Sequence, residues 1–263
     1  QSLSTCRYNR IVVGVPRISA QRNYMEQEYF DEGTYVVSMD DDLTTIRKKT
    51  GENKLSDIEN FYEEVIKLGY EKMLETGAKV WGTYAASNPF FMNDRIYTDI
   101  CYIIASCYGY ICERDEFLCR VTEHGEDYEY SIRQYIKNGK LVRFDYITPI
   151  TKYFGKGGLE EHRKDESVIF DGIRTIKKLF PKYCDIFFRK NGTPESVALQ
   201  KTGTPYSEYK LWLENVFFKG HVKDVEETSI DYVENQLMKQ IQEGNTSAIT
   251  FYLKTKGKNR GYN

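Results

Sequence analysis

Three consecutive aspartates, Asp40, Asp41 and Asp42, directly follow the apolar segment TYVVSM of residues 34–39. The apolar and β-branched residues of that segment predict a strand. Carboxylates at neighbouring positions repel one another, and the repulsion grows where water is excluded. The fold is therefore expected to place this run at the end of a strand and to bring positive charge to it.

Strands and helices alternate along the first half of the chain, which is typical of an α/β fold. We expect a mixed, mostly parallel sheet flanked by helices. Residues 1–190 are predicted to form one domain, and residues 191–263 a helical or irregular C-terminal appendage packed onto it. The predicted strands are residues 9–16, 34–39, 78–85, 97–115, 141–147 and 183–190. The predicted helices are residues 18–30, 55–77, 126–140, 166–180 and about 230–241.

Capping residues and glycines predict where several of these elements end. Ser19 is expected to be the N-cap of the first helix, and Gly33 to close it. Ser56 and Glu59 form a capping-box pattern at the start of the second helix. The segment of residues 97–115 is expected to be one long buried strand with a break at Gly109.

Composition argues against several classes of protein. The net charge of −2 argues against a chain held to nucleic acid mainly by phosphate neutralisation. The six cysteines include no C-x-x-C pair, so buried free thiols in a reducing compartment are expected. We recognise no signal peptide, and no apolar run approaches the ~20 residues of a bilayer span. The protein is expected to be soluble and intracellular, without membrane contact.

The aspartate run has two interpretations. Asp40 and Asp42, which point to the same side of an extended chain, could hold Mg²⁺ or Mn²⁺ together with substrate phosphates, because such hard cations prefer carboxylate oxygens. Alternatively, the run could be the acidic start of a helix, where the helix dipole favours negative charge. The aspartate run follows a predicted buried strand directly, and this position favours the interpretation as a metal site.

Two further segments carry candidate polar chemistry. Arg22, in the segment SAQRN, could reach the aspartates or a phosphate, since a guanidinium matches both geometries. Taken alone, the segment favours a surface arginine on an amphipathic helix. Glu126 and Asp127 open a predicted helix, where acidic residues are common as caps. Beside a metal–phosphate site, one of them becomes a candidate general base.

The segment FGKGGLEEHR contains Gly155, Gly157 and Gly158 with Lys156 and Arg163. These residues could fold over a diphosphate, or they could form an exposed turn. No G-x-G-x-x-G or P-loop motif occurs, which argues against dinucleotide and P-loop sites. The three histidines lie at positions 124, 162 and 221 with no H-E-x-x-H motif, so a zinc hydrolase is not expected.

Taken in order, these segments resemble the GT-A fold of nucleotide-sugar glycosyltransferases. More narrowly, the chain is similar to the TET/JBP-associated glycosyltransferases of phages and large viruses over about residues 8–190. The segments that carry this resemblance are IVVGVPRISAQRN, VVSMDDDLTTIRK, VWGTYAASNPFFM and FGKGGLEEHR with FDGIRTIKKLFPKY.

The resemblance implies a GT-A-like sheet and a metal-dependent, inverting transferase that uses Mn²⁺ or Mg²⁺. The donor would be a nucleotide-sugar, most simply a UDP-sugar such as UDP-glucose. The acceptor would be a hydroxyl group, with a hydroxymethylated pyrimidine base in DNA as the family's example. A viral protein of this kind would act in the host cytoplasm or nucleus.

The same resemblance assigns roles to individual residues. The metal ligands would be Asp40, Asp42 and His162. The donor-binding residues would be Arg22, Asn23, Asp40, Asp41, Gly157, Gly158 and Arg163. The base would be Asp127, with Glu126 as the second choice. The cleft and acceptor residues would be Trp81, Asn88 and Phe90.

Two other functions fit the same residues. A Mg²⁺-dependent nucleotidyltransferase or phosphohydrolase also uses clustered aspartates. A non-catalytic module that binds nucleic acid or sugar would use the acidic run only as a structural cap. A DNA acceptor would call for basic residues near the cleft, for which residues 46–54 and 254–260 are candidates; both segments could equally be solvated surface.

Overall fold

The computed structural model describes residues 12–151, 166–188, 194–200 and 234–256. Its main sheet has five strands in the order β1–β6–β4–β7–β5. They are β1 (Tyr35–Met39), β4 (Val80–Thr83), β5 (Ile96–Tyr97), β6 (Cys107–Ile111) and β7 (Val142–Phe144). The predicted α/β class with a mixed sheet is confirmed.

The prediction of a mostly parallel sheet is wrong. Strands β4 and β7 pair in parallel, whereas β1–β6, β4–β6 and β5–β7 are antiparallel pairs. Strands β1, β4 and β7 do run in one direction, as the alternation of strands and helices predicts. Strand β6 runs the other way and lies between β1 and β4, so it separates strands that would otherwise be parallel neighbours.

The prediction for residues 97–115 is also wrong. That segment is not one long strand: β5 ends at Tyr97, and residues 98–104 form no regular element. Gly109 lies inside β6, opposite Trp81 of β4, and does not break the strand. Apolar residues alone cannot distinguish a buried strand from a buried irregular segment, which is why the pattern failed here.

A second sheet has the order β3–β2–β8. It contains β2 (Leu43–Gly51), β3 (Lys54–Asp57) and β8 (Ile147–Thr151). The predicted capping box is therefore wrong, because Ser56 lies in β3 and pairs with Lys48. The helix begins later, where Asn60 Oδ1 accepts a hydrogen bond from the Glu63 amide at 3.1 Å.

The helical segment after β3 consists of a π-helical stretch, Tyr62–Lys67, and helix α2, Leu68–Thr76. It ends at Gly77, whose φ of 78° is the left-handed conformation expected at a helix end. Helix α3 (Glu126–Asn138) ends in the same way, at Gly139 with φ 75°. Three acidic residues in its first turn suit the helix dipole.

Helix α1 (Ile18–Tyr24) continues as a π-helical turn, Met25–Tyr29. The predicted caps are wrong at both ends. Arg17 is the N-cap, the turn ends at Phe30, and the Ser19 hydroxyl instead donates to the carbonyl oxygen of Thr122. A hydroxyl that finds a buried partner elsewhere is not available for the first turn of its own helix.

The main sheet carries apolar packing on both faces, because successive side chains of a strand point to opposite sides. Along β6, Tyr108 and Tyr110 face α3, whereas Cys107 and Ile111 face the side of α2. The sheet is therefore the middle layer between two helical layers.

The later described elements extend the α3 side. Helix α4 (Glu166–Leu179) is followed by β9 (Cys184–Phe188), which pairs with β10 (Pro194–Leu199). Val197 of β10, beyond the predicted boundary at residue 190, is buried in the same core as α4. Residues 234–242 form helix α5, and Thr246–Thr255 form helix α6. The domain boundary itself stays a prediction.

Five cysteines are buried and free in the described ranges, as expected for structural thiols, namely Cys101, Cys107, Cys112, Cys119 and Cys184. Cys6 lies outside the described residues. No helix within those ranges has both the length and the apolar character to cross a bilayer.

Candidate functional site

The carboxyl ends of β1, β4 and β7 lie at one edge of the main sheet, because these three strands run in the same direction. Asp40 follows β1, and Asp145 follows β7. This is the edge at which ligands of α/β proteins usually bind. The loop before α3 approaches it from one side.

The aspartate run forms a turn between the two sheets. The Asp40 amide donates to the carbonyl oxygen of Ser106 at 3.1 Å, and the Leu43 amide donates to the carbonyl oxygen of Asp40 at 3.3 Å. Asp41 and Asp42 are exposed at the turn, and strand β2 follows at once. The alternative interpretation as the start of a helix is therefore wrong.

Arg22 supplies the positive charge that the aspartate run requires. Its Nη2 lies 3.4 Å from Asp40 Oδ1, and its Nη1 donates to Glu126 Oε1 at 2.6 Å. The Arg22 side chain is 8% exposed, against 42% for Asp40. Burial raises the pKa of Asp40, Arg22 opposes the rise, and the charges of Asp42 and Asp127 add to it. Arg22 thus joins two motifs that the sequence places far apart.

A second buried arginine extends this arrangement into the protein. Arg120 Nη1 donates to Glu26 Oε2 at 3.1 Å, and Arg120 Nε lies 3.4 Å from Glu126 Oε2. The guanidinium also stacks on the ring of Tyr130, 3.6 Å from its centroid. Negative and positive side chains now alternate from the interior to the sheet edge. We call this series the charge ladder; it consists of Glu26, Arg120, Glu126, Arg22 and Asp40.

Burial changes the proton affinity of the carboxyl groups in the charge ladder. It raises the pKa of Glu126 to about 7, although Arg22 and Arg120 act in the opposite direction. Burial likewise raises the pKa of Glu26, which accepts a hydrogen bond from the Tyr130 hydroxyl at 2.6 Å. A buried carboxyl group with arginine neighbours can therefore change its charge near neutral pH.

Asp127, next to Glu126 in α3, has a different environment. Its Oδ2 accepts a hydrogen bond from the Tyr102 hydroxyl. The Tyr102 ring stacks on Tyr128, with centroids 3.9 Å apart and planes 9° apart. Burial and the charge of Asp127 raise the pKa of Tyr102 well above its ordinary value, so Tyr102 remains a donor. Asp127 is thus oriented by one side chain without an arginine partner among the described residues.

A narrow cleft, too tight in this structure to admit a water molecule, lies between α1, α3 and the segment before β6. The polar groups at its wall are a guanidinium, two carboxylates and two tyrosine hydroxyls. Its lining residues are Arg22, Ile103, Ala105, Tyr108, Glu126, Asp127 and Tyr130. A ligand could reach these groups only if the cleft widened; the guanidinium could then bind an anion, and Asp127 could take a proton.

Asn23 fixes α1 against the loop before α3. Its Nδ2 donates to the carbonyl oxygen of Arg120, and its Oδ1 accepts from the Arg120 amide, both at 2.9 Å. Both polar atoms of the Asn23 side chain therefore form hydrogen bonds with the backbone. The structure gives Asn23 a positioning role for Arg120; the prediction that it contacts a donor stays a prediction.

No three His, Cys, Asp or Glu side chains converge closely enough to hold a metal ion in the described parts of the chain. Mg²⁺ and Mn²⁺ do not need such a group, because one or two carboxylates and substrate phosphates suffice. Asp40 has one oxygen free of Arg22, and Asp41 and Asp42 are exposed beside it. The hard oxygen donors of this run, beside Arg22, therefore fit a divalent cation shared with a phosphate ligand.

No family model matches the sequence, and neither a curated protein nor a solved structure matches the chain. The resemblance to GT-A glycosyltransferases thus stays a prediction from motifs.

The three cleft residues predicted from the resemblance differ in their exposure to solvent. Trp81 is wrongly assigned: it is 0% exposed and lies in the core beside Gly69 and Gly109. Asn88 is exposed and accepts a hydrogen bond from the Phe90 amide at 3.0 Å, which caps a short 3₁₀ turn. Phe90 is 74% exposed on that turn. Both remain candidates for acceptor contacts.

The residues of the glycine-rich segment and the candidate histidine ligand lie outside the described residues. They are Gly155, Lys156, Gly157, Gly158, His162 and Arg163. Their predicted roles stay predictions.

Two of the four cationic side chains in the basic segment of residues 46–54 pair with carboxylates. Arg47 Nε donates to Asp57 Oδ1 at 2.8 Å, and Lys48 pairs with Glu64. Lys49 Nζ donates to backbone carbonyl oxygens. In the second basic segment, Lys256 pairs with Glu234 at 3.0 Å, and residues 257–263 lie outside the described chain.

Sequence motifs missed Arg120, Glu26 and Tyr102. The spacing of four residues between Arg22 and Glu26 was an available signal, because it places both on one helix face. The same spacing relates Glu126 and Tyr130. Arg120 and Tyr102 lie in segments without a motif, and only the tertiary fold brings them to the site.

Proposed function

We propose that this protein is a metal-dependent glycosyltransferase that moves a sugar from a nucleotide-sugar donor to a hydroxyl acceptor. The observation that carries the proposal is the double contact of Arg22. It brings the aspartate run and the start of α3 together at one guanidinium, as a base beside a metal–phosphate site requires.

Asp40 and Asp42 would hold Mn²⁺ or Mg²⁺ together with the donor diphosphate. When bound, the ion would neutralise the charge that develops on the leaving nucleoside diphosphate. Arg22, oriented by Glu126 and Asp40, presents its guanidinium at the same place. A donor phosphate could replace Asp40 as the partner of Nη2, because a guanidinium binds phosphate and carboxylate with similar geometry.

Asp127 is the better candidate for the general base. Both oxygens of Glu126 face arginines, at 2.6 Å and 3.4 Å, and this side chain is 8% exposed. Asp127 lines the cleft and is oriented by the Tyr102 hydroxyl. It would take the proton from the acceptor hydroxyl as that oxygen attacks the anomeric carbon, while Glu126 would serve to orient Arg22.

The first experiment is a thermal-shift screen of nucleotide-sugars with and without Mn²⁺. We expect stabilisation only when Mn²⁺ and a suitable donor are both present, because each completes the binding site of the other. A UDP-sugar is the expected donor. The absence of a shift with any pair, at ligand concentrations in the millimolar range, would contradict the proposal.

Two variants test the role of the aspartates in the same assay. Asp42→Ala should abolish the shift that depends on Mn²⁺. Asp31→Ala is the matched control, because Asp31 is a solvent-exposed aspartate outside the turn, with a side chain 96% exposed; it should retain the shift.

Product analysis separates glycosyl transfer from the rival metal-dependent reactions. Transfer or donor hydrolysis releases a nucleoside diphosphate. A nucleotidyltransferase would release pyrophosphate, and a phosphohydrolase would release phosphate. Detection of either of the latter from a nucleotide substrate, without a nucleoside diphosphate product, would replace the proposal.

A further inference from the structure

The cleft that contains Arg22 and Asp127 is too tight to admit a water molecule, so one of its walls must move before a ligand enters. Helices α1 and α3 form two of these walls. The third wall is the chain between β5 and β6, residues 98–106, which we call the wall segment. It contributes Ile103 and Ala105 to the lining of the cleft. The wall that moves should be the one whose contacts are the least costly to break.

Buried charges hold α1 to α3 and to the loop before α3. Arg22 pairs with Glu126 between the two helices, and Arg120 of the loop pairs with Glu26 in the π-helical turn after α1. Asn23 adds two hydrogen bonds to the Arg120 backbone. Separation of these elements would leave charges buried without partners, which is far more costly than the loss of a neutral hydrogen bond. These two walls are therefore expected to stay together.

Hydrogen bonds with neutral donors hold the wall segment to α3. The Tyr102 hydroxyl donates to Asp127, the Ile103 amide donates to Ser131 Oγ at 3.0 Å, and the Tyr135 hydroxyl donates to the Asp99 carboxylate. The three residues of α3 are spaced by four positions, so they lie on one face of the helix. Because the donors are hydroxyl and amide groups, water can replace these bonds without leaving a buried charge behind.

The main sheet fixes both ends of the wall segment but not its middle. Strand β5 ends at Tyr97, and β6 begins at Cys107. Beside β6, the carbonyl oxygen of Ser106 accepts from the Asp40 amide at 3.1 Å. Residues 98–104 form no regular element, and the bonds that join them to α3 all involve side chains. Such a segment can open locally while the sheet stays folded.

Ile103 is the part of the wall segment that closes the cleft. It is 2% exposed and packs on Gly82 of β4, where an added Cβ would lie 2.4 Å from Ile103 Cγ2. Outward movement of the wall segment would withdraw this side chain and make room for a ligand. The movement also exposes Ile100 and Cys101, which are buried in the closed state. The open state should therefore be a minor population.

We propose that the wall segment is the gate of the cleft, which opens by releasing its hydrogen bonds to α3 and closes again over a bound ligand. Closure would exclude water and would restore the hydrogen bond from Tyr102 that orients Asp127. Only this orientation of a base rests on the proposed function; the opening of the wall segment does not.

Three buried cysteines report which part of the protein opens. Cys101 lies in the wall segment, Cys119 lies at the start of the loop before α3, and Cys107 lies in β6. Burial raises the pKa of Cys101 to about 12, so its thiol should react with iodoacetamide only after exposure to water. The test treats the full-length, ligand-free protein with this reagent under native conditions. Mass spectrometry of the peptides then gives a rate for each thiol.

Opening of the wall segment predicts that Cys101 reacts about tenfold faster than Cys119 and Cys107, or more. Faster reaction at Cys119 would overturn the proposal, because the opposing wall would then be the one that opens. Equal rates at all three thiols would also overturn it, since the reagent would then enter only through global unfolding.

Two variants and a matched control test the hydrogen bonds themselves. Ser131→Ala removes the acceptor of the Ile103 amide and should raise the rate at Cys101 about fivefold, the effect of one lost hydrogen bond on the opening equilibrium. Tyr102→Phe should act in the same direction. Ser19→Ala is the control, because Ser19 is also a fully buried serine whose hydroxyl donates to a backbone carbonyl oxygen, but in the opposing walls. It should change this rate less than about twofold.

An equal rise of the Cys101 rate in Ser131→Ala and Ser19→Ala would reject the gate, because both would then act through general stability. The two proposals can also fail separately. A protein that opens first at Cys101, but that no pair of Mn²⁺ and nucleotide-sugar stabilises, would support the gate and reject glycosyl transfer. Stabilisation by such a pair in a protein that opens first at Cys119 would reject the gate and leave glycosyl transfer standing.

Discussion

Arg22 and Glu126 are 104 positions apart in the chain, and their side chains form a buried ion pair of 2.6 Å. The pair joins α1 to the first turn of α3, and the other end of Arg22 reaches Asp40. Two buried charges lose about as much hydration energy as they gain from attraction, so the pair adds little net stability. The loss of one partner is costly, because the other charge stays buried.

Arg22→Met should therefore destabilise the fold by up to about 3–5 kcal/mol, the usual cost of leaving a buried charge unpaired, when measured at pH 8, where Glu126 is ionised in the wild-type protein. Chemical denaturation measures the change in the free energy of unfolding. Arg47→Met is the control: it breaks an exposed pair of 2.8 Å and should cost less than about 1 kcal/mol. Equal losses for the two variants would mean that the Arg22 pair is not buried in solution.

The pH dependence of stability should report on Glu126. Its pKa of about 7 in the folded protein lies above the ordinary value of 4.5, and burial is the main cause. The folded state then binds the proton more tightly than the unfolded state. Stability from this group is complete below about pH 4.5 and is lost as the pH rises through 7.

Glu126→Gln removes this titration while keeping a side chain of similar shape. Between pH 5 and 8, the wild-type protein should lose roughly 3 kcal/mol of unfolding free energy relative to the variant, at about 1.4 kcal/mol for each pKa unit. Denaturant unfolding of both proteins across this range measures the difference. A constant difference would show that Glu126 is ionised throughout.

The sequence was informative about the site because its motifs follow strand and helix ends. Arg22, Asp40 and Asp127 were chosen from three separate segments. In the fold, Arg22 and Asp127 line one cleft, and Asp40 contacts Arg22. The physical reason is the common direction of β1, β4 and β7, which gathers the ends of these strands at one edge. That direction follows from the alternation of strands and helices.

The order of the strands in the sheet could not be predicted from the sequence in this way. Strand β6 lies between β1 and β4 because of long-range strand pairing. Local patterns of apolar residues do not predict such pairing. Gly109 is an example. It suggested a break in the strand, but the absence of a side chain there leaves room for the Trp81 ring. Trp81 was assigned to the cleft through the family resemblance, which carries no information on burial, and the structure places it in the core.

Gly109→Ala should consequently destabilise the protein. An added Cβ would lie 2.3 Å from Nε1 of Trp81, a ring that is itself fully buried. Overpacking of this kind costs about 1–3 kcal/mol. Gly51→Ala is the control, because its nearest neighbour to the added carbon would be 3.7 Å away; it should change stability by less than about 0.5 kcal/mol. Similar effects at both positions would contradict the tight packing at Trp81.

The assignment of the base is tested by comparing Asp127→Asn with Glu126→Gln. Asn keeps the acceptor for the Tyr102 hydroxyl but cannot take a proton, so the turnover number should fall by about 10²–10⁴ with little change in the melting temperature. Glu126→Gln should instead raise the KM for the donor, because Glu126 acts through Arg22 and not on the acceptor.

Tyr102→Phe separates orientation from proton transfer. This variant keeps the Asp127 carboxylate but removes the hydrogen bond that fixes it, so its turnover number should lie between those of the wild type and Asp127→Asn. Steady-state kinetics would measure the turnover numbers of the wild type and of the two variants, with the donor and acceptor that binding experiments identify. If Glu126→Gln alone abolished turnover while Asp127→Asn preserved it, the roles of the two carboxylates would be exchanged, and Arg22 would then orient the base itself.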